Sequence, residues 1–219
     1  MAVAGAIAVV DYGMGNLRSV WQALVRVAAG REVLVTSDPE VLARAERIVF
    51  PGQGAMPDCM RELEARGLRP ALIAAAQSKP FFGICIGQQM LFEHSEEGDV
   101  PGLGIFPGRV RRFSPEQMYD ASERKLKVPH MGWNEVQQSR RENGVHPLWQ
   151  GIADNERFYF VHSYYVEPGD AQCVAGETRY GERFTSAVAR DNIFAVQFHP
   201  EKSARAGLAL LANFIRWQP

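Results

Sequence analysis

The stretch Pro80–Gln89, Pro-Phe-Phe-Gly-Ile-Cys-Ile-Gly-Gln-Gln, constrains the fold of this chain more than any other. It reads as a buried strand that breaks at one cysteine, Cys85, with Gly83 two residues before and Gly87 two residues after. A helix-compatible run, Gln88–Glu93, follows at once. A nucleophile on such a strand–turn–helix elbow sits in a strained backbone conformation with its side chain above the sheet. The flanking glycines remove side chains that would crowd the turn and block close backbone approach. The new helix points unpaired N–H groups and its positive dipole end at the sulfur, which favours thiolate over thiol. A cysteine in an apolar strand is also commonly a small buried hydrophobe. G-x-C-x-G therefore leaves packing and catalysis evenly open.

A second segment breaks the tie. Ile193–Lys202 runs Ile-Phe-Ala-Val-Gln-Phe-His-Pro-Glu-Lys and reads as another buried strand that ends in His-Pro-Glu. In extended backbone, residues two apart point to the same side, so His199 and Glu201 share a face. Pro200 fixes φ and cannot donate to a sheet ladder, which suits a strand end. A cysteine nucleophile needs a base in reach, and that base needs a third group to orient it. Taken singly, His199 could be a satisfied core histidine and Glu201 a solvated strand end. Next to a cysteine elbow the pair points to nucleophilic catalysis.

The rest of the chain supplies a setting for the two segments. Ala6–Asp11, Glu32–Thr36 and Arg47–Phe50 are apolar runs that read as strands. Between them Leu17, Val20, Trp21, Leu24, Val25 and Ala28 recur at helical spacing, and Met56–Arg66 and Pro70–Gln77 read as helices. Fully apolar strands separated by helices indicate an α/β fold with a parallel sheet covered on both faces. After Gly98 the texture changes. Leu103–Phe113, Pro129–Val136, Phe158–Val166, Gln172–Thr178 and Phe184–Ala189 read as strands joined by turns, an antiparallel or mixed extension. Ser114–Lys127 is polar and reads as a surface loop, and Ala204–Trp217 as a closing helix with Leu208, Leu211, Ala212 and Ile215 on its apolar stripe. A length of 219 residues fits one domain. Sites in parallel α/β sheets lie at the carboxyl ends of strands, where Gly13–Asn16, Pro51–Gly54, Cys85 and His199 all fall.

Composition narrows the function. With 24 basic and 25 acidic residues and a net charge of −1, the chain has no electrostatic footprint for nucleic acid or an anionic membrane. Arg109, Arg111 and Arg112 read as one side of an exposed strand, or alternatively as a docking surface. Cys59, Cys85 and Cys173 form no C-x-x-C pair and fit free thiols in a reducing compartment. The apolar run Ala2–Val10 lacks the basic residues that precede a signal-peptide core and is too short to span a bilayer. A cytoplasmic location is the expectation. His94, His130, His146 and His162 show no ligand spacing, so neither a metal nor a cofactor is assigned.

Gly83–Gln89 together with His199-Pro200-Glu201 resembles the class I (triad-type) glutamine amidotransferases. Asp11–Asn16, Pro51–Ala55, Pro129–Asn134 and Phe160–Tyr165 narrow the resemblance to the glutaminase subunits of imidazole glycerol phosphate synthases, over nearly the full length. The resemblance implies one type-1 amidotransferase domain over residues 1–219: a flavodoxin-like parallel or mixed central sheet, flanking helices and an antiparallel extension. It implies that Cys85 attacks the amide of L-glutamine, that His199 is acid and base, and that Glu201 orients it. Backbone N–H groups of Gly52, Gln53 and Ile86 would form the oxyanion hole. Gln89, Glu97, Ser163 and Tyr164 would contact substrate. Many members carry an aliphatic residue where Gln53 stands, so the backbone there, not the side chain, is expected to supply the donors.

The resemblance also implies a partner, a (β/α)₈-barrel cyclase that forms a heterodimer with the chain and consumes the ammonia. Asn16, Trp133, Asn134 and Lys202 are the interface candidates, and the aromatics Trp133, Tyr12 and Tyr165 are expected on loops near the site as anchors. Two alternatives stay open. One is the glutaminase subunit of another amidotransferase, against which His130-Met131-Gly132-Trp133-Asn134 argues. The other is a thiol-sensing protein on the same fold, which would not need His-Pro-Glu.

Overall fold

In the computed structural model, residues 5–120, 122–141 and 144–219 are described. The first half alternates as read from its apolar runs: β1 (Ile7–Val10), α1 (Leu17–Val27), β2 (Val33–Thr36), α2 (Pro39–Arg44), β3 (Arg47–Gly52), α3 (Met56–Ala65), α4 (Arg69–Ser78), β4 (Phe81–Cys85) and α5 (Ile86–Gln89). The second half is mostly strand: β5 (Phe92–Ser95), β6 (Val100–Pro101), β7 (Phe106–Arg112), β8 (His130–Gln138), β9 (Arg140–Arg141), β10 (Gly144–Val145), β11 (Glu156–His162), β12 (Tyr164–Pro168), β13 (Val174–Tyr180), β14 (Glu182–Arg190) and β15 (Ile193–Val196). Helix α6 (Ala204–Arg216) closes the chain.

The sheet runs β2-β1-β3-β4-β15-β14-β12-β7-β5-β6, and its first five strands are parallel. Strand β1 lies between β2 and β3, so the direction of winding reverses there and opens a crevice above the carboxyl ends. Strands β8, β11 and β13 branch off as an antiparallel leaf, with β8 paired to both β11 and β13. Every residue of β1, β3, β4 and β15 is buried, which explains their lack of alternation. Adjacent residues of β4 serve opposite faces: Phe82 meets Phe214 of α6 at 5.1 Å, while Phe81 meets Phe50 at 5.9 Å. Arg47, fully buried at the start of β3, donates to the carbonyls of Phe214 and Trp217 at 3.1 and 2.6 Å and so caps the end of α6. Among the described residues, no helix is long and apolar enough to cross a membrane.

Several expectations change. The run Gln88–Glu93 is not a helix: α5 stops at Gln89 and the chain enters β5, because Phe92 pairs with Phe106 and stacks on it at 5.5 Å. Phe158–Val166 is two strands split at Ser163, since β11 pairs with β8 and β12 pairs with β7. The expected strand Gln172–Thr178 begins as a 3-10 turn, Ala171–Cys173, and extends as β13 to Tyr180. The buried stripe of α6 is Gly207, Leu210, Leu211, Phe214 and Ile215, with Leu208 and Ala212 only half-buried. Short elements such as α2, β5, β6 and the β9–β10 hairpin carry too little periodicity to read. The start of the Ala2–Val10 run lies outside the described residues.

Candidate active site

Strand β4 delivers Cys85 to the carboxyl edge of the sheet with φ +56° and ψ −114°. Positive φ costs a non-glycine residue on the order of 1–3 kcal/mol and persists only where the surroundings enforce it. The two flanking glycines do the enforcing through packing. The first turn of α5 lies against β3 so closely that a Cβ on Gly87 would collide with the Phe50 carbonyl oxygen. A Cβ on Gly83 would stand 2.9 Å from that of Ala195 on the neighbouring β15. Strands β3 and β4 pair Gly52 with Cys85 in register, so the Gly52–Gln53 turn flanks the sulfur. The Gln53 side chain itself is exposed.

The His-Pro-Glu segment reaches the same edge by a route that alternation does not describe. Strand β15 ends at Val196, and Pro200–Lys202 forms a 3-10 turn rather than a strand end. That turn folds Glu201 back so that its Oε1 lies 2.8 Å from His199 Nδ1, with the two side chains 1% and 5% exposed. Ser203 Oγ donates to the His199 carbonyl at 2.6 Å and accepts the Tyr159 N–H at 2.9 Å, which clips the turn to β11. Burial alone would lower the His199 pKa, but the Cys85 sulfur and the Glu201 carboxylate outweigh it and push the value up to about 10. His199 Nε2 makes no hydrogen bond within range, yet the sulfur lies close enough to act on the charge of the ring.

Cys85 and His199 open into one cavity of about 240 Å³, whose wall includes Gln53, Ile86, Gln89, Glu97, Ser163 and Tyr164. The cavity thus brings together most of the residues expected to form the site. A wider cleft of about 970 Å³ beside the β9–β10 hairpin holds none of the nucleophile–base groups. Gln89 is buried rather than on a helix surface, and its Nε2 donates to the Tyr164 carbonyl at 3.0 Å and to Gln197 Oε1 at 2.8 Å. Glu97 Oε2 accepts the Met56 N–H at 2.8 Å and caps α3, which has no side-chain cap of its own.

Gln197 is a neighbour of Cys85 that the sequence does not single out: its Nε2 lies 3.6 Å from Cys85 Sγ. The signal was present, because Gln197 stands two residues before His199 on an apolar strand. Cys59 was missed as well, and Tyr12 was expected near the site only as an interface anchor. Tyr12 is fully buried and no interface anchor; its hydroxyl would stand 2.5 Å from a Cβ on Gly52. Burial first, and then the Cys59 thiol, hold the Tyr12 pKa well above the ordinary tyrosine value. Burial likewise pushes Cys59 up to about 11, and its Sγ reaches the Gln53 carbonyl at 3.6 Å.

Tyr165 is also core, packed on Phe113 at 5.0 Å. Of the three expected anchors, Trp133 alone is exposed, at 50%, beside Met131 at 63% on the same face of β8. Asn16 caps α1 by accepting the Ser19 N–H at 3.4 Å, and Lys202 is exposed with Nζ 5.8 Å from the Tyr159 ring. Asn134 is half-buried and donates to the Arg179 carbonyl at 3.0 Å. Arg109 and Arg111 pair with Glu167 at 3.0 and 2.9 Å across the β7–β12 ladder, which accounts for two members of the arginine cluster.

Residues 8–217 match the family model of glutamine amidotransferase class-I. The chain is 66% identical to imidazole glycerol phosphate synthase subunit HisH of Dechloromonas aromatica, with all of both chains covered. It is 69% identical to the subunit of the same name in Aromatoleum aromaticum, over 97% of this chain and 99% of that one. Among solved structures, a glutamine amidotransferase superposes with a TM-score of 0.69 at 18% identity, over 95% of this chain and 97% of that one. Another, from Thermotoga maritima, gives 0.60 at 14% identity, over 92% and 78%. These two likenesses speak to the fold alone.

Proposed function

The chain belongs to the class I glutamine amidotransferases, and on that footing we propose that it is the glutaminase subunit of an imidazole glycerol phosphate synthase. Its reaction is hydrolysis of L-glutamine to glutamate and ammonia. The observation that carries the reading is the meeting, in one small cavity, of a cysteine held at positive φ and a histidine bonded to a buried carboxylate. The identity to subunits of that name over whole chains favours this synthase over other amidotransferases.

In this reading the Cys85 thiolate attacks the side-chain carbonyl carbon of glutamine. The tetrahedral oxyanion collapses as imidazolium His199 gives its proton to the departing ammonia, which leaves a thioester. His199, now neutral, takes a proton from water, the hydroxide adds to the thioester, and glutamate leaves with the thiol restored. Glu201 holds the proton of His199 on Nδ1 and so leaves Nε2 for the sulfur and the leaving group. Backbone N–H groups of Ile86 and the Gly52–Gln53 turn serve the oxyanion, where one donor is worth about 10²–10³ in rate. Gln89, Glu97, Ser163 and Tyr164 bind the substrate, and no cofactor or metal takes part.

The chain acts as one domain over residues 1–219 and hands ammonia to a (β/α)₈-barrel cyclase in a heterodimer. The exposed pair Met131 and Trp133 supplies an apolar anchor for that partner, and Asn16, Asn134 and Lys202 are its further contacts. Three free, buried cysteines suit the reducing cytoplasm. The test is reaction of the full chain with a glutamine-analogue diazoketone, read by peptide mass. One adduct, on Cys85 and blocked by excess L-glutamine, is expected. Labelling at Cys59 or Cys173, or no protection by glutamine, would overturn the assignment.

A further inference from the structure

A continuous hydrogen-bonded path links Asn134 on the β8–β11 leaf to Cys85, and the donors of its two halves converge on the Tyr164 carbonyl, which fixes the direction of each half. Asn134 Nδ2 donates to the Arg179 carbonyl at 3.0 Å, so the NH₂ of the amide is on that side. The same Nδ2 lies 3.3 Å from His130 Nε2, which must therefore be the acceptor. His130 then carries its proton on Nδ1, 3.0 Å from His162 Nε2. His162 in turn carries its proton on Nδ1 and donates to the Tyr164 carbonyl at 2.8 Å. Both ends of this segment are carbonyl oxygens, which only accept, so no reversed arrangement satisfies it. Gln89 Nε2 shares the Tyr164 carbonyl and also donates to Gln197 Oε1, which turns the NH₂ of Gln197 toward Cys85 Sγ.

The fold builds this path deliberately close. His130 and His162 are directly opposite in the β8–β11 ladder. Phe160 and Tyr180 stack on the His130 ring at 4.8 and 3.9 Å. A second proton on either ring would set donor against donor, Nε2–H of His130 against Asn134 or Nε2–H of His162 against His130. Burial works in the same direction and holds His130 at about 4 and His162 at about 3.

We propose that Gln197 is a positioning residue for the Cys85 sulfur, oriented by Gln89, which is itself anchored on the Tyr164 carbonyl that Asn134, His130 and His162 hold from the other side. The proposal rests on the glutaminase reading for its consequence, but not for its geometry. An amide N–H aimed at the sulfur stabilises the thiolate and fixes its line of attack. Of the other groups that act on the sulfur, Tyr12 just beyond β1 and Cys59 from α3 stay protonated across neutral pH, and His199, paired with Glu201, is its counter-charge.

The experiment has two readings on the full chain, neither of which needs glutamine turnover. Side-chain ¹⁵N resonances should show His130 and His162 both protonated at Nδ1 and bare at Nε2 from pH 5 to 8. An Nε2–H tautomer at either ring, or titration of either near 6.5, would overturn the path. The pH profile of Cys85 alkylation by iodoacetamide is then compared among Gln197→Met, His162→Phe and the double variant. Gln197→Met should slow alkylation at pH 7 by roughly tenfold, in keeping with a lost hydrogen bond to a charged group. The double variant should be no slower than Gln197→Met, because both act through one amide. Additive losses, or an unchanged profile in Gln197→Met, would contradict the role. Should His162→Phe not fold, the tautomers of the parent chain and the Gln197→Met profile decide. A normal path in a chain inert toward glutamine would count against the glutaminase reading alone.

Discussion

Cys85 stands at φ +56° because its neighbours leave the chain no other course between β4 and α5. Its reactivity then depends on a histidine whose raised pKa comes from the sulfur and the Glu201 carboxylate against the pull of burial. Glu201→Gln keeps the shape but removes the charge and the preference for the Nδ1–H tautomer. It should lower kcat for glutamine hydrolysis on the order of 10²–10⁴-fold with a small change in KM; a steady-state assay that finds less than a threefold loss would exclude the orienting role. Gln53→Val should behave differently. Its side chain is exposed, so activity should stay within about threefold of the parent, whereas loss to the level of Cys85→Ala would show that the side chain, not the backbone, matters. At this scale the sequence was most legible where residue type and spacing carry chemistry, as at Cys85, His199 and Glu201. It was silent on the His130–His162 pair, whose partners come together only across the β8–β11 ladder, and at Gln197 it offered a position beside His199 but no partner.

Elements were legible in proportion to their length and periodicity. The apolar runs of β1, β3, β4 and β15 and the helix α6 were readable because burial on both faces, or on one stripe, leaves a pattern. The single turn of α5 was over-extended, since nothing local to Gln88–Glu93 reveals that Phe92 will be claimed by β7. The 3-10 turn Pro200–Lys202 was also misread as extended, because proline suits both and the decision lies with Ser203. Ser203→Ala removes the bond to the His199 carbonyl and leaves the Tyr159 N–H without its acceptor. Loss of about 1–3 kcal/mol of stability is expected, with a fall in kcat larger than the stability loss explains. Unchanged urea midpoint and unchanged kcat in Ser203→Ala would show that the turn holds itself.

For the molecule as a whole, the buried histidines set how stability depends on pH. His130 and His162 have folded values of about 4 and 3, below the unfolded 6.5. The unfolded chain therefore takes up protons that the native chain refuses. Their cost is absent above pH 6.5 and grows as pH falls toward 4 and then 3, by up to about 1.4 kcal/mol per pH unit for each ring. His199 runs the other way: raised to about 10, its contribution is complete below 6.5 and is lost as pH rises through 10. Urea unfolding from pH 4 to 10 should thus peak near 6.5, and a flat profile on the acid side would mean that the two rings are not held neutral. The sheet order and the antiparallel leaf set this arrangement, and neither was legible beyond fold class, because strand pairing is a property of the whole chain. The same leaf bears the exposed Trp133. Glutamate release by the full chain, assayed alone and with a (β/α)₈-barrel cyclase carrying its nucleotide ligand, tests the central claim most directly. Slow hydrolysis alone and a rise of at least about tenfold with the loaded cyclase is the expected result. Hydrolysis at full rate without the cyclase, or none with it, would contradict the account.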